Sequence, residues 1–304
     1  MAESKEDGRK FSEIVLCTVT AIMIIFSLVG NSLVCLSFYR NRRLRSITNF
    51  YVLSLAIADI TFAIFVSPFN VISIGYRRWP FDFNFCQFNG FLSAYWTEVS
   101  IFILTMTSIN RYVCVVKPRL YPVCFSKRKT VLSILFICIV MFISSLTFVI
   151  ITPVIYRWDP QGLHCRGTYL KRTQTTKTTL ACLVLLPLLL IVFCYGSVHR
   201  VVSHHHRALQ PSLHSTSNRR TITAQEIKTC RVLFAAVAGF CICWTPGVIV
   251  AIVEFGFRVS LPLTVQTFPA IFGFISAWIN PIIYGFMNRA MRKEFLKILF
   301  CRKE

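Results

Sequence analysis

The stretch from Cys86 to Tyr112, CQFNGFLSAYWTEVSIFILTMTSINRY, decides how the rest of the chain is read. It opens on a cysteine, carries one acid in Trp96-Thr97-Glu98-Val99-Ser100, and closes on Ser108-Ile109-Asn110-Arg111-Tyr112. As a helix rising about 1.5 Å per residue, Cys86 to Arg111 covers roughly 37 Å, slightly more than the ~30 Å hydrocarbon core of a bilayer. A cross-linkable thiol then stands at one membrane face and an arginine at the other. That layout suits a transmitter better than an anchor.

Composition agrees with a membrane. The 304 residues are 55% hydrophobic and 15% charged, too apolar for a soluble domain whose surface must be polar. The net charge of +21 does not indicate nucleic acid, because the bases sit in short blocks between apolar runs rather than on one face with interleaved aromatics. Most of the 13 cysteines fall inside apolar runs, as Cys17, Cys35, Cys138, Cys182, Cys194, Cys241 and Cys243 do, where a thiol acts as a small buried hydrophobe. Cys86 and Cys165 fall at the same outer face and form the one plausible disulfide.

Seven apolar runs recur, at about Phe11–Tyr39, Thr48–Gly75, Asn84–Val116, Val131–Ile155, Lys177–His199, Glu226–Phe257 and Leu261–Met287. Each approaches or exceeds the ~20 residues a helical span requires. The spacing predicts an all-α membrane protein, a seven-transmembrane bundle over 11–287, with residues 1–10 outside and 288–304 inside. The first run is long enough to be kept as a helix rather than cleaved. The connections after spans one, three, five and seven hold most of the Lys and Arg residues, so they face the cytosol. The N-terminus is accordingly extracellular, the C-terminus cytoplasmic, and Arg111 at the inner end. After span seven, Met291, Phe295, Ile298 and Leu299 recur at helical spacing opposite bases, predicting a short amphipathic helix on the inner membrane surface. Cys301 beside it is a candidate for lipidation, or else a free cytosolic thiol.

Charge inside hydrocarbon is costly and marks function by default. Asp59 lies about 16 Å from the inner end of its span, with Ser100 at similar depth. Either a cation site or a protonated, hydrogen-bonded acid accounts for it. Glu98 lies further out, within reach of an outward-facing pocket, whereas Glu254 can snorkel to water. Pro187, Pro246 and Pro281 place one kink each in spans five, six and seven.

Together these marks resemble the rhodopsin-like (class A) G-protein-coupled receptors, over nearly the whole chain. The resemblance is carried by Gly30-Asn31, Leu55 to Asp59, Cys86, Asn110-Arg111-Tyr112, Pro187, Tyr195, Cys243-Trp244-Thr245-Pro246 and Asn280-Pro281-Ile282-Ile283-Tyr284. It implies a Cys86–Cys165 bridge, a packing trio of Ile101, Pro187 and Phe240 beneath the ligand, and Trp244 as the pocket floor. It implies a sodium site at Asp59 and Ser100, although Ser276 and Ala277 replace the family's usual polar pair. Tyr195 and Tyr284 match the tyrosines that swing inward on activation, and Arg111 matches the arginine met by the G protein. Asn110 replaces the usual acid beside it, and an amide does not titrate. Glu226 matches the family's other restraint on Arg111; a solvated surface acid is the alternative. Span four lacks the tryptophan most members carry.

The ligand is less constrained. Phe274 stands where opsins carry the retinal-binding lysine, so no retinal is expected, and Ser93 stands where aminergic receptors carry the amine-binding acid. Ser93, Thr97, Glu98, Leu183, Trp244 and Phe274 form the candidate ligand set. Ile109 to Tyr112, Trp158-Asp159-Pro160 and Tyr284 to Asn288 are most similar to melatonin receptors, although Leu183 replaces their ligand-contacting histidine and Pro281 their alanine. Glu98 favours a ligand cation or donor, whereas Arg77, Arg78, Arg157 and Arg166 favour an acidic ligand. The expected function is a plasma-membrane receptor for an extracellular small molecule or peptide, activating a heterotrimeric G protein. The rivals are a seven-span transporter, channel or light-driven pump, or an enzyme. Residues Leu261 to Met287 hold no chromophore lysine, and the chain shows neither internal duplication nor a hydrolase signature.

Overall fold

The computed structural model describes residues 2–151, 154–159, 164–169, 174–208, 224–256 and 261–300. The chain winds through α1 (Ala2–Arg40), α2 (Ile47–Phe65), α3 (Ser67–Tyr76), α4 (Phe83–Val116), the short α5 (Tyr121–Cys124) and α6 (Lys127–Ile151). It continues through strands β1 (Val154–Asp159) and β2 (His164–Tyr169), then α7 (Gln174–Ala208), α8 (Ala224–Gly256), α9 (Leu263–Met287) and α10 (Arg289–Leu299). A 3-10 turn over Arg42–Leu44 follows α1. Six helical units among the described residues are long and apolar enough to cross a membrane, and α9 is the seventh.

Three boundaries differ from the sequence reading. Helix α1 runs unbroken from Ala2 instead of starting at Phe11. Span two is two helices broken at Val66, with Pro68 in the first turn of α3; proline lacks the N–H that would continue the α2 ladder. Span four ends at Ile151, and Ile155 lies in β1. The β-branched, aromatic run Val154-Ile155-Tyr156 pairs antiparallel with β2, with Trp158 opposite Cys165 and Arg157 opposite Arg166.

Helix α4 is the axis. It packs along α2, α6 and α7 and beneath both strands. Its central residues Val99, Ile101, Ile103 and Leu104 are buried with Tyr51 and Leu55 of α2, Met141 of α6, Ile191 and Tyr195 of α7, and Phe240 of α8. Helices α2 and α6 are also joined by a polar contact, Tyr51 Oη and Ser133 Oγ being hydrogen-bonded at 3.0 Å. Around this core the outward faces carry exposed leucine, isoleucine and phenylalanine, such as Ile139, Leu189 and Ile242, as a lipid-facing bundle requires.

Helices α1 and α9 meet at a small residue. A Cβ on Gly30 would come within 2.8 Å of Pro281 Cβ, so glycine permits the approach. Pro281 cannot donate to the carbonyl of Ala277, and α1 supplies the missing donors. Ser27 Oγ reaches it at 3.1 Å and Asn31 Nδ2 at 3.0 Å. Asn288 caps α10, its Oδ1 accepting from the Ala290 and Met291 amides. The apolar stripe of α10 divides: Met291 and Phe295 are buried against Val34, Leu44, Val52 and Tyr284, and only Leu296, Leu299 and Phe300 stay exposed. Met291 and Phe295 thus anchor to the bundle rather than to the membrane surface.

Candidate functional site

Three layers stack along α4. At its inner end Arg111 is 5% exposed, an expensive position for a guanidinium unless its N–H groups are bonded. Its Nη2 donates to Asn110 Oδ1 at 2.6 Å and its Nε to the same oxygen at 3.2 Å. Nη2 also donates to the hydroxyl of Thr48 on α2. Thr48 Oγ1 in turn donates to Asn110 Oδ1 at 3.1 Å, and Asn110 Nδ2 reaches Tyr121 Oη of α5 at 3.5 Å. Among the described residues, Arg111 is therefore held by neutral oxygens. The expected partner, Glu226, lies in the first turn of α8, but its side chain lies outside the described residues. Tyr112 is half-buried, its ring 5.7 Å from Phe193 of α7.

The middle layer is polar and closed. Asp59 accepts from Asn280 Nδ2 at 3.3 Å, and Ser100, Ser276 and Asn31 are buried in the same bundle. The Oδ1 atoms of Asn31 and Asn280 are buried without a partner among the described residues. Carboxylate, hydroxyl and amide oxygens are the ligand types that suit a hard cation. Tyr195 and Tyr284 are buried between this layer and Arg111.

The outer layer rests on Phe240 and Trp244, stacked at 5.8 Å. Ile101, Pro187 and Phe240 are all buried, on α4, α7 and α8 respectively, and Pro246 lies inside α8 one turn above. Leu183 and Trp244 border the same apolar cluster, whereas Ser93 and Thr97 are half-buried on α4. Trp244 Nε1 is buried with no acceptor among the described residues. Glu98 turns toward α6, where Ser145 Oγ donates to its Oε2 at 3.1 Å. The side chains of Phe274 and Glu254, and Cys301 altogether, lie outside the described residues.

Above this layer the hairpin is fastened to α4. Cys86 and Cys165 form a disulfide, with Cα atoms 5.7 Å apart. Gln87 accepts from the Tyr156 amide at 2.9 Å and donates back to the Tyr156 carbonyl. Gly90 lies under the Tyr156 ring, where an added Cβ would come within 2.3 Å of Tyr156 Cδ1.

Sequence reasoning singled out Arg111 and Asp59 but missed Thr48, Tyr121, Gln87, Ser27 and Ser145. Each is an uncharged polar residue whose partner lies on another helix or strand. The one available signal was a polar side chain recurring on an otherwise apolar face.

The comparisons agree with this geometry. The model of the 7 transmembrane receptor (rhodopsin family) matches residues 30–284. The melatonin receptor type 1A of Ovis aries is 29% identical over 292 residues, covering 93% of this chain and 77% of that receptor. The 5-hydroxytryptamine receptor 4 of Cavia porcellus is 28% identical over 336 residues, covering 99% of this chain and 83% of that receptor. The crystal structure of squid rhodopsin superposes with a TM-score of 0.79 at 25% identity, covering 97% of this chain and 88% of that one. With the disulfide, the buried arginine and the seven helices all in register, the chain belongs to the rhodopsin family of 7 transmembrane receptors.

Proposed function

We propose that this G-protein-coupled receptor lies in the plasma membrane with its N-terminus outside, binds a small molecule between the hairpin and Trp244, and signals by releasing Arg111. The observation that carries the reading is the neutral clasp on Arg111. Among the described residues this buried cation is held by a threonine hydroxyl and an amide oxygen, and is tethered across helices by partners it can exchange for a docking protein.

An outside ligand packs better against the open arrangement of α7, α8 and α9, whose prolines leave them able to bend. Helix α8 swings about Pro246, Tyr195 and Tyr284 turn inward, and Arg111 is uncovered for the G protein. The excess of basic residues on the inner connections supports both the orientation and a G-protein docking surface there. The family is one of receptors rather than enzymes.

The middle layer holds a sodium ion in the resting state, with Asp59 supplying the charge and Asn31, Ser100 and Asn280 oxygens completing the shell. Closing α9 around a ligand would displace it. Cys301 carries a lipid that holds α10 to the inner leaflet.

The test reconstitutes the full chain in lipid and reads nucleotide exchange on purified G protein across a ligand panel, with Arg111→Ala as control. Ligand-stimulated exchange that Arg111→Ala abolishes is the expected result. Unaided solute flux through the protein, with no exchange from any ligand, would replace this reading by that of a conduit.

A further inference from the structure

The exposed side of α10 mixes bases with large apolar residues. Arg289, Lys293 and Leu296 follow one helical row, Arg292, Leu296 and Leu299 the row beside it, and all five are exposed. Met291 and Phe295, on the other side, are buried in the bundle. Such a mixture suits the boundary between headgroups and acyl chains, where each kind of side chain finds its own surroundings. Little in the helix neutralises its charge. Arg289 and Lys293 are one turn apart and repel, and Glu294, the one acid of α10, is engaged elsewhere. Asn41 Nδ2 donates to Glu294 Oε1 at 3.0 Å, and Lys297 Nζ lies 3.8 Å from the same oxygen.

The Asn41 bond brings a second basic segment to the same place. Asn41 caps the turn Arg42–Leu44, its Oδ1 accepting from the Arg43 amide, and Leu44 is buried with Met291 and Phe295. Arg40, Arg42 and Arg43 are exposed around it. Two basic segments remote in sequence, 40–43 and 289–293, are thus fixed side by side at the end of the bundle that holds Arg111. Arg40, Arg42, Arg43, Arg289, Arg292 and Lys293 form no ion pair among the described residues. Like charges held together repel unless an anion shares them, and clusters of about four to eight Lys and Arg beside a membrane span attract acidic lipid.

We infer that the Arg42–Leu44 turn and α10 together bind a membrane lipid whose headgroup carries several phosphates, a phosphoinositide bisphosphate, with Leu296 and Leu299 against its acyl chains. Separate phosphates on one headgroup engage both basic segments at once, whereas a singly charged headgroup reaches one. Arginine forks meet phosphate oxygens two at a time. Because Asn41 and Leu44 already hold the turn to α10, little ordering is left to binding. The same turn leads into α2 and to Thr48, which holds Arg111, so a bound lipid stiffens the base of that clasp. The lipid site needs only that the bundle spans a bilayer, and its failure is therefore distinct from that of the receptor reading.

The experiment places the full chain in phosphatidylcholine discs and follows thermal unfolding as phosphatidylinositol 4,5-bisphosphate or, at matched total charge, phosphatidylserine is titrated into them. The bisphosphate is expected to raise the unfolding temperature saturably, and phosphatidylserine to raise it less and without saturation. Replacing one exposed base from each segment, Arg42→Gln with Lys293→Gln, should raise the bisphosphate fraction for half-maximal protection roughly 25-fold, at about fivefold per base. Glu294→Gln keeps an acceptor for Asn41 and removes the opposing charge, so it should lower that fraction. Equal protection by the two lipids would mean a diffuse charge effect and overturns the inference. So does a half-maximal fraction unchanged in the double variant or not lowered by Glu294→Gln. Equal protection by soluble inositol 1,4,5-trisphosphate overturns it as well, since the ligand would then be a free polyphosphate. If the double variant holds the bisphosphate as tightly as the parent but loses nucleotide exchange on the G protein, these bases serve protein docking and the lipid site falls.

Discussion

Thr48 on α2 holds Arg111 on α4 through a hydroxyl that accepts from the guanidinium and donates to Asn110. That single hydroxyl joins two helices at the face where we propose that the G protein docks. Thr48 is 3% exposed, so Thr48→Val keeps the volume and removes only the polar contact. Hydrogen bonds to charged groups contribute about 1.5–3 kcal/mol, equivalent to roughly tenfold to hundredfold in a two-state equilibrium. Basal nucleotide exchange should rise by up to that factor, limited by the fully active rate. Asn110→Asp should do the reverse by adding a charge beside Arg111. A Thr48→Val receptor with the parent's basal rate would remove the clasp from the mechanism.

Glycine is required at Gly90 by the ring above it and is dispensable at Gly196. A Cβ on Gly90 would lie 2.3 Å from Tyr156 Cδ1, whereas nothing lies within 4 Å of one on Gly196. Gly90→Ala must push the hairpin off α4 and should cost about 1–3 kcal/mol. Gly196→Ala, inside α7, should be neutral or stabilise by up to about 1 kcal/mol from helix propensity. Thermal unfolding in lipid, read by exposure of buried thiols such as Cys194 and Cys243 to a reactive dye, separates the two. Equal unfolding temperatures would mean that the Tyr156 contact does not constrain the hairpin.

Gln87 and the disulfide act on the hairpin in different ways. The Cys86–Cys165 bridge spans 79 residues, and closing a loop of that length restricts the unfolded chain by about 4 kcal/mol in the entropic account. Gln87 contributes only its two bonds, about 1–3 kcal/mol. Cys165→Ala should therefore lower the unfolding temperature more than Gln87→Leu does. Gln87→Leu should instead leave stability closer to the parent while weakening ligand affinity, because the bridged hairpin would keep its tether but lose its register. A ligand dissociation constant unchanged by Gln87→Leu would show that the disulfide alone positions the hairpin.

The seven spans were legible because a bilayer imposes one requirement, an apolar run of fixed length, on every crossing. Arg111, Asp59 and the three prolines stood out because polar or helix-breaking residues there demand a reason. The break at Val66 was also marked, by Pro68, but span two is apolar on both sides of it, so the run reads as continuous. The hairpin was lost for a related reason: Val154, Ile155 and Tyr156 are as apolar as a helix end, and their pairing with β2 is non-local. The clasp on Arg111 could not be read at all. It depends on the rotation of α2 against α4, which brings together residues 63 positions apart and which no local pattern encodes. The same is true of Ser27 and Asn31, whose use is to serve a carbonyl that Pro281 left open on another helix.

Asp59 gives the sharpest ionic test. Among the described residues its carboxylate has one donor, Asn280 Nδ2 at 3.3 Å, and the Oδ1 atoms of Asn31 and Asn280 are buried without partners. A buried acceptor left unsatisfied costs about 1–3 kcal/mol, and a cation or donor within reach would relieve it. On the proposal that sodium binds the resting arrangement and stabilises it by mass action, replacing it by N-methylglucamine, too large to enter, should lower the unfolding temperature of the parent and raise its basal nucleotide exchange. Asp59→Asn removes the formal charge while keeping the shape and a hydrogen-bonding side chain. It should abolish both responses and leave the basal rate independent of sodium. If Asp59→Asn and the parent respond to sodium alike, the ion acts elsewhere, and the middle layer is a hydrogen-bonded seam between α2 and α9 rather than an ion site.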